Sequence, residues 1–374
     1  MNALSKAADW TVVRREVLTT GAELAAVAPA WNRLLVETGG SVFQSHGWVS
    51  AWWDTLKRPA EGALRIGLLW HGERLVAVLP LTISRRKGLK ILEWAAIGTT
   101  DYPDVLASAD CSDSDLLRLW ADVKALGGYD IVQLHRLLPE ARARALLADT
   151  ALRPDGRDEV SYRVAGTWES GATWFEGQGK KTRQNDRRGR KFLQEGGVVQ
   201  FRLVPADQPL DGLLERFAKL KRKWMQERGH QSDLFDEENE ALARTVHVLQ
   251  HAGILRVFTL SCGEAVVAIS INFEQNGAMM ALLTTYDPAF ERASPGVLLM
   301  VDYVQWSIDH GLAMVDFLCG AEPFKLRFAT EGQALQGFSA VRTPLGHLAR
   351  WVDKQRRAIK ARRAEQLEAD AAAS

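Results

Sequence analysis

The chain repeats itself, and that repetition limits its fold more than any single motif does. Leu64-Arg-Ile-Gly-Leu-Leu-Trp-His-Gly72-Glu73-Arg-Leu-Val-Ala77-Val-Leu-Pro-Leu81 lines up without gaps on Leu255-Arg-Val-Phe-Thr-Leu-Ser-Cys-Gly263-Glu264-Ala-Val-Val-Ala268-Ile-Ser-Ile-Asn272. Each copy reads as strand, Gly-containing turn and strand, which is a hairpin. After the first copy we expect a strand over Ile91–Ile97, a Tyr102-Pro-Asp turn, a helix over Ser114–Leu126 and a strand from Asp130 to Leu134. After the second come a strand over Met279–Thr285, a Tyr286-Asp-Pro turn, a helix over Pro295–His310 and a strand from Met314 to Leu318. Short hairpins of this composition also resemble one another by chance. The shared order of elements is what favours a duplication.

Helices precede each hairpin. Leu24, Val27, Trp31 and Leu34 recur at helical spacing, as do Trp48, Trp52 and Leu56 after a Ser45 cap. In the second half Leu213, Phe217, Leu220 and Trp224 mark one helix, and Leu242, Val246 and Leu249 another. The polar, turn-rich stretch Arg153-Pro-Asp-Gly-Arg157 marks a boundary. We therefore expect an N-terminal unit over 1–155, a C-terminal unit over 156–345, and a peripheral basic helix over 346–374. At 374 residues, two units also match the usual domain size.

Lys+Arg 47 against Asp+Glu 46 gives a formal charge of +1, so no global field draws the chain toward nucleic acid or an anionic membrane. Cys111, Cys262 and Cys319 are far apart, which indicates neither a zinc site nor a disulfide framework. With no signal-like N-terminus and no run of about 18 apolar residues, the expected setting is cytoplasmic. Gly-x-Ser-x-Gly, His-Glu-x-x-His and the dinucleotide glycine fingerprint are all missing, so hydrolase, zinc-protease and nicotinamide readings fall back. Gly177-Gln-Gly179-Lys180-Lys181-Thr182 imitates a phosphate loop, but Trp174 stands where its first glycine belongs and no strand precedes it.

Three segments carry chemistry. Arg292-Ala-Ser294-Pro295-Gly296 opens a helix directly after a strand, with Ser294 suited to cap it and Gly296 allowing close approach. Such a start can hold an anion, with Arg292 adding charge, or can be an ordinary capped helix. The run Lys180–Lys191 can bind phosphates or be a solvated helix face, and Trp168 and Trp174 just before it can stack on a ligand or fill a core. Finally, Asp316-Phe-Leu-Cys-Gly320-Ala-Glu322-Pro-Phe324-Lys325 leaves a strand through a Gly turn, which places Glu322 and Lys325 at a strand's carboxyl end, either toward a cleft or in an exposed loop.

Taken in order, several pieces resemble one family: Lys181-Thr-Arg-Gln-Asn-Asp-Arg-Arg188, Leu220-Lys-Arg-Lys-Trp224, Gly263-Glu-Ala-Val-Val-Ala268, Tyr286-Asp-Pro288, Ser294-Pro-Gly296, Asp316-Phe317 and Phe324-Lys325-x-x-Phe328. Residues 165–330 resemble the acyl-CoA N-acyltransferase (GNAT) superfamily, in its CelD/BcsL-like or BioF2-like branch. That branch is similar to the Fem-type aminoacyltransferases, which place two GNAT-like units in tandem. The resemblance implies an α/β fold of tandem units with mixed, mostly antiparallel sheets flanked by helices, whose central strands splay around the donor. It implies acetyl-CoA or another acyl-CoA as co-substrate, and no metal. The donor would lie along Ala278–Thr285 or Val266–Phe273, with Thr285, Tyr286, Arg292, Ser294 and Gly296 as its binding residues. Lys325, Asp287 and Glu322 are the implied catalytic set: Lys325 for charge stabilisation or contact with donor phosphates, Asp287 or Glu322 to orient or deprotonate the acceptor. The acceptor would be an amine or hydroxyl of a saccharide or envelope precursor. Aminoacyl transfer from tRNA and a non-catalytic glycan-binding role are the alternatives, and the first unit, which lacks Ser-Pro-Gly, would be scaffold or acceptor recognition.

Overall fold

The two hairpins fold as the alignment predicts, to the residue. In the computed structural model, which describes residues 12–55, 62–229, 233–235, 240–320 and 322–372, His71 pairs with Arg74 and Cys262 with Ala265. Gly72 and Gly263 take φ of 59° and 55° at the first position of each two-residue turn, the left-handed backbone that tight hairpins need and glycine adopts without strain.

The first half runs β1 (Val13–Leu18), α1 (Gly21–Ala26), α2 (Ala28–Thr38), α3 (His46–Trp53), β2 (Gly62–His71), β3 (Arg74–Arg86), β4 (Leu89–Trp94), β5 (Leu106–Ala107), α4 (Asp113–Ala125) and β6 (Ile131–Leu137). The second, reached through β7 (Arg153–Pro154), runs β8 (Glu159–Ala165), α5 (Gly171–Glu176), α6 (Lys180–Gln194), β9 (Val199–Leu203), α7 (Asp211–Arg228), α8 (Ala241–His251), β10 (Leu255–Cys262), β11 (Ala265–Gln275) and β12 (Ala278–Tyr286). It closes with α9 (Pro295–Asp309), β13 (Met314–Cys319), α10 (Pro323–Phe328), β14 (Glu331–Val341) and α11 (Pro344–Ala372). The periodicity that suggested one helix through Leu24 and Leu34 is broken at Val27, because Pro29 cannot donate the next helical hydrogen bond. Ser45 caps α3 through the Trp48 N–H at 3.1 Å, whereas Leu56 lies outside the described residues.

All strands join one mixed, mostly antiparallel sheet in the order β1-β2-β3-β4-β6-β14-β8-β13-β12-β11-β10-β9. Read from either edge the order repeats: four antiparallel strands, one parallel neighbour, then an antiparallel strand. The antiparallel strand beyond the parallel pair in the first half comes from the second, and it also pairs with β8. β14 closes the first half against β6, and β8 closes the second against β13. Helices cover both faces. On the second half, Phe258, Met279 and Val267 pack with Leu299 and Tyr303 of α9, while Val257, Ile269 and Leu283 pack with Phe217 of α7 and Val246 of α8.

A buried polar cluster ties the halves together. The Asp316 carboxylate, 1 % exposed, accepts the Tyr102 hydroxyl at 2.8 Å, the Arg163 Nε–H at 3.0 Å and the Leu318 N–H at 2.7 Å. Removing one member of such a set strands the others without water. Asp316→Ala should therefore cost about 3–5 kcal/mol and Tyr102→Phe about 1–3 kcal/mol, read as shifts in the urea unfolding midpoint. Wild-type midpoints in both variants would show that the cluster holds nothing.

Candidate active site

β12 and β13 run parallel for only three residue pairs, Ala278–Met314, Met279–Val315 and Met280–Asp316. Beyond them the strands part, with Asp316 at the fork. β13 is bent there: Leu318 sits at φ 58°, held by the Asp316 carboxylate, and the register against β8 slips between Asp316 and Cys319. β12 instead runs on to Tyr286, paired with β11 on one side only. The gap is a cleft of about 460 Å³ walled by Ala281–Tyr286 and Phe317–Cys319. The Thr284 carbonyl faces it.

Lys325 projects into this cleft from α10. It is 6 % exposed, and its Nζ donates to the Cys319 carbonyl at 2.6 Å and meets Glu322 Oε2 at 3.0 Å. The turn that allows this needs Gly320, at φ 123°: a Cβ there would stand 2.4 Å from Glu322 Oε2. Opposite, Lys221 of α7 donates to the Thr284 carbonyl at 3.2 Å and lies 4.7 Å over the Trp224 ring. Burial pulls the Lys221 ammonium below its ordinary pKa, partly offset by Glu322. Asp101 enters from the first half. Burial raises its carboxyl pKa, against the pull of Arg136, whose Nη1 is 3.1 Å away.

The start of α9 forms the end of the cleft. Ser294 stands at its N-cap, but at φ 54°, ψ 52° its side chain makes no cap bond, which corrects the expectation of a serine cap. Pro295 has no N–H, and the Val297 and Leu298 amides both bond the Ser294 carbonyl, so Gly296 carries the donor the helix itself does not use. Gly296 also keeps the floor low, since a Cβ there would sit 3.4 Å from the Tyr286 ring. Ser294 and Val297 also line a second cavity of about 110 Å³, around which Arg188, Arg292 and Arg327 arrive from three different elements.

Of the residues expected from sequence, Lys325, Glu322, Thr285, Tyr286, Ser294 and Gly296 all line the cleft, and Arg292 lines the adjoining cavity. Asp287 is not among the lining residues. Its carboxylate accepts the Ala289 N–H at 3.1 Å and lies 3.3 Å from Arg216, so it is spent on the turn before α9. The basic run is not one uniform face: Arg190 is tied to Asp186 and Asp302 at 2.9 and 2.7 Å, while Arg188 faces the small cavity. Trp174 is core, 1 % exposed, and Trp168 packs against that core, so neither serves the cleft. Sequence reasoning missed Asp101 and Lys221. The i,i+3 spacing of Lys221 and Trp224 puts both on one helix face, which was readable, whereas nothing local to Asp101 announces a reach into the other half. Among the described residues no group of three or more His, Cys, Asp or Glu is placed to hold a metal ion.

No curated protein matches the chain. Residues 180–326 match the family model of the acetyltransferase (GNAT) domain. Among solved structures, FemX superposes with a TM-score of 0.59 at 10% identity, over 90% of this chain and 100% of that one. A domain named as the C-terminal part (DUF2156) of a lysylphosphatidylglycerol synthetase from Agrobacterium fabrum gives 0.55 at 12%, over 88% and 95%. A conserved protein of unknown function from Bacteroides thetaiotaomicron gives 0.50 at 12%, over 87% and 100%. At such identities the likeness is one of fold. Residues 180–326, which supply most of the cleft's lining, thus match the acetyltransferase (GNAT) domain family, in a chain whose fold is similar to that of FemX.

Proposed function

We propose that the cleft transfers an acyl group from acyl-CoA directly to an amine or hydroxyl of a saccharide or envelope precursor. The observation that carries this reading is the unpaired edge of β12, opening a cleft that runs past the start of α9 to a small arginine-lined cavity. A strand edge suits a donor's amides, and three guanidinium groups suit its phosphates. The bound donor would supply an activated thioester; everything else falls to side chains already in place.

Asp101 is the group best suited to take the acceptor's proton, because it lines the cleft and burial raises its carboxyl pKa, which makes it a stronger base. Lys325 holds Glu322 at the mouth and offers positive charge where an oxyanion develops. The inward faces of the cleft carry three carboxylates, Asp101, Glu291 and Glu322, against two lysines, which favours a cationic amine as acceptor. In this reading the unit over 1–155 contributes Asp101 and shapes the acceptor side, while 156–345 holds the donor. The exposed cations of α6, Lys181, Arg187 and Arg188, favour the runner-up, transfer from an aminoacyl-tRNA.

Coenzyme A at about a hundred times its Kd should raise the melting temperature by several degrees. The pair Arg188→Ala and Arg327→Ala should weaken CoA about tenfold or more and leave pantetheine binding unchanged. No CoA shift, together with tRNA binding that weakens steeply with salt, would favour the runner-up.

With a turnover assay, Asp101→Asn should lower kcat by about 10²–10⁴. In the wild type, kcat/KM should rise as pH climbs through the raised Asp101 pKa, because only the carboxylate accepts a proton. That acid limb should be missing in the Asn variant. An unchanged limb would remove Asp101 from the chemistry.

A further inference from the structure

The helix α11 is mounted the wrong way round for a surface helix. Its polar side faces the body: Asp353 pairs with Arg157 at 2.9 Å and with Arg357 at 3.0 Å, and Arg357 Nη1 donates to the Asp155 carbonyl at 2.7 Å. One turn from its start, Gly346 is buried on that same side, where a Cβ would lie 2.6 Å from the Asp130 carbonyl oxygen. At about 100° per residue, Gly346, Asp353 and Arg357 share one stripe. The opposite side carries Leu345, Leu348, Trp351 and Ile359, which are 49–59% exposed. These four are more than a third of the eleven large apolar side chains that the described residues expose. Burying them on the body would have needed only a rotation of the helix; the ion pairs fix it the other way.

Exposed cations flank the apolar stripe, Lys354 on one side and Arg356 on the other. Asp353, the single carboxylate between Pro344 and Ile359, is already neutralised by two arginines. We propose that this face of α11 docks on an anionic lipid surface, with Trp351 and its apolar neighbours entering the interface and the two flanking cations meeting headgroup phosphates. Charge complementarity singles out that occupant. A second copy crossing at Trp351 would bring cations against cations, and a nucleic acid would meet the cations but leave Leu348 and Trp351 in water. The inference is independent of the donor in the cleft. It would place the reaction where a lipid-anchored acceptor is found.

The test is flotation of the full chain with phosphatidylcholine vesicles, with and without phosphatidylglycerol. The chain should float only with the anionic vesicles. Leu348→Ser with Trp351→Ser should weaken binding about tenfold or more, and Lys354→Gln and Arg356→Gln about fivefold per charge. Because these side chains are exposed, the melting temperature should not move. Three results would each overturn the proposal: no binding to either vesicle, equal binding to both, or a concentration-dependent dimer that the Leu348 and Trp351 pair abolishes.

Discussion

One carboxylate, at the point where two strands part, organises the rest of the molecule. Asp316 is the last β13 residue paired with β12, and its oxygens bind the amide of the bent Leu318, the hydroxyl of Tyr102 and the guanidinium of Arg163. Each bond does separate work. The Leu318 bond holds the left-handed kink that swings Cys319 and Lys325 away from β12. The Tyr102 bond draws in the turn that carries Asp101. The Arg163 bond keeps β8 beside β13. Burial raises the pKa of Asp316, and its three donors oppose that shift.

In the first half the equivalent place is packed with side chains, for a reason visible in strand length. β4 and β6 also pair in parallel over three residues, Ile91–Ile131 to Glu93–Gln133. But β4 ends at Trp94, and the chain turns away at once through Ala96, whose φ is 57°. Trp94 and Ala96 are fully buried, so the place where a donor edge would lie is packed with side chains. β12 continues over Ala281–Tyr286 instead, and those residues are one wall of the cleft. Two copies of one topology thus differ by a few residues of unpaired strand. β14, from the second half, completes the first against β6 and pairs with β8 on its other edge, so the first sheet half is closed by the second's chain.

Local pattern made the repeat legible. Hairpin turns, the Ser45 cap and the helix Pro295–Asp309 rest on spacing and turn chemistry within a few residues, and all stand where the pattern puts them. So does the convergence of Ser294, Gly296, Glu322 and Lys325, because both segments follow strands that are parallel neighbours. Long-range placement was not legible. Asp101 reaches the cleft through a fold in which Tyr102 and Asp316, 214 positions apart, are bonded. Asp287 looked equally chemical in sequence, yet a turn amide and Arg216 take up its oxygens. The strand Ile91–Ile97 was overextended because Ala96, an ordinary residue, adopts a backbone that composition does not signal.

Hydrogen exchange with and without coenzyme A tests most directly whether the parting of β12 and β13 makes the donor site. A ligand lying along an unpaired strand edge slows exchange of the amides it covers. The account predicts added protection over 281–286 and 294–298, with β4 and β6 unchanged. Protection confined to β4 and β6, or no change along β12 at saturating ligand, would contradict it.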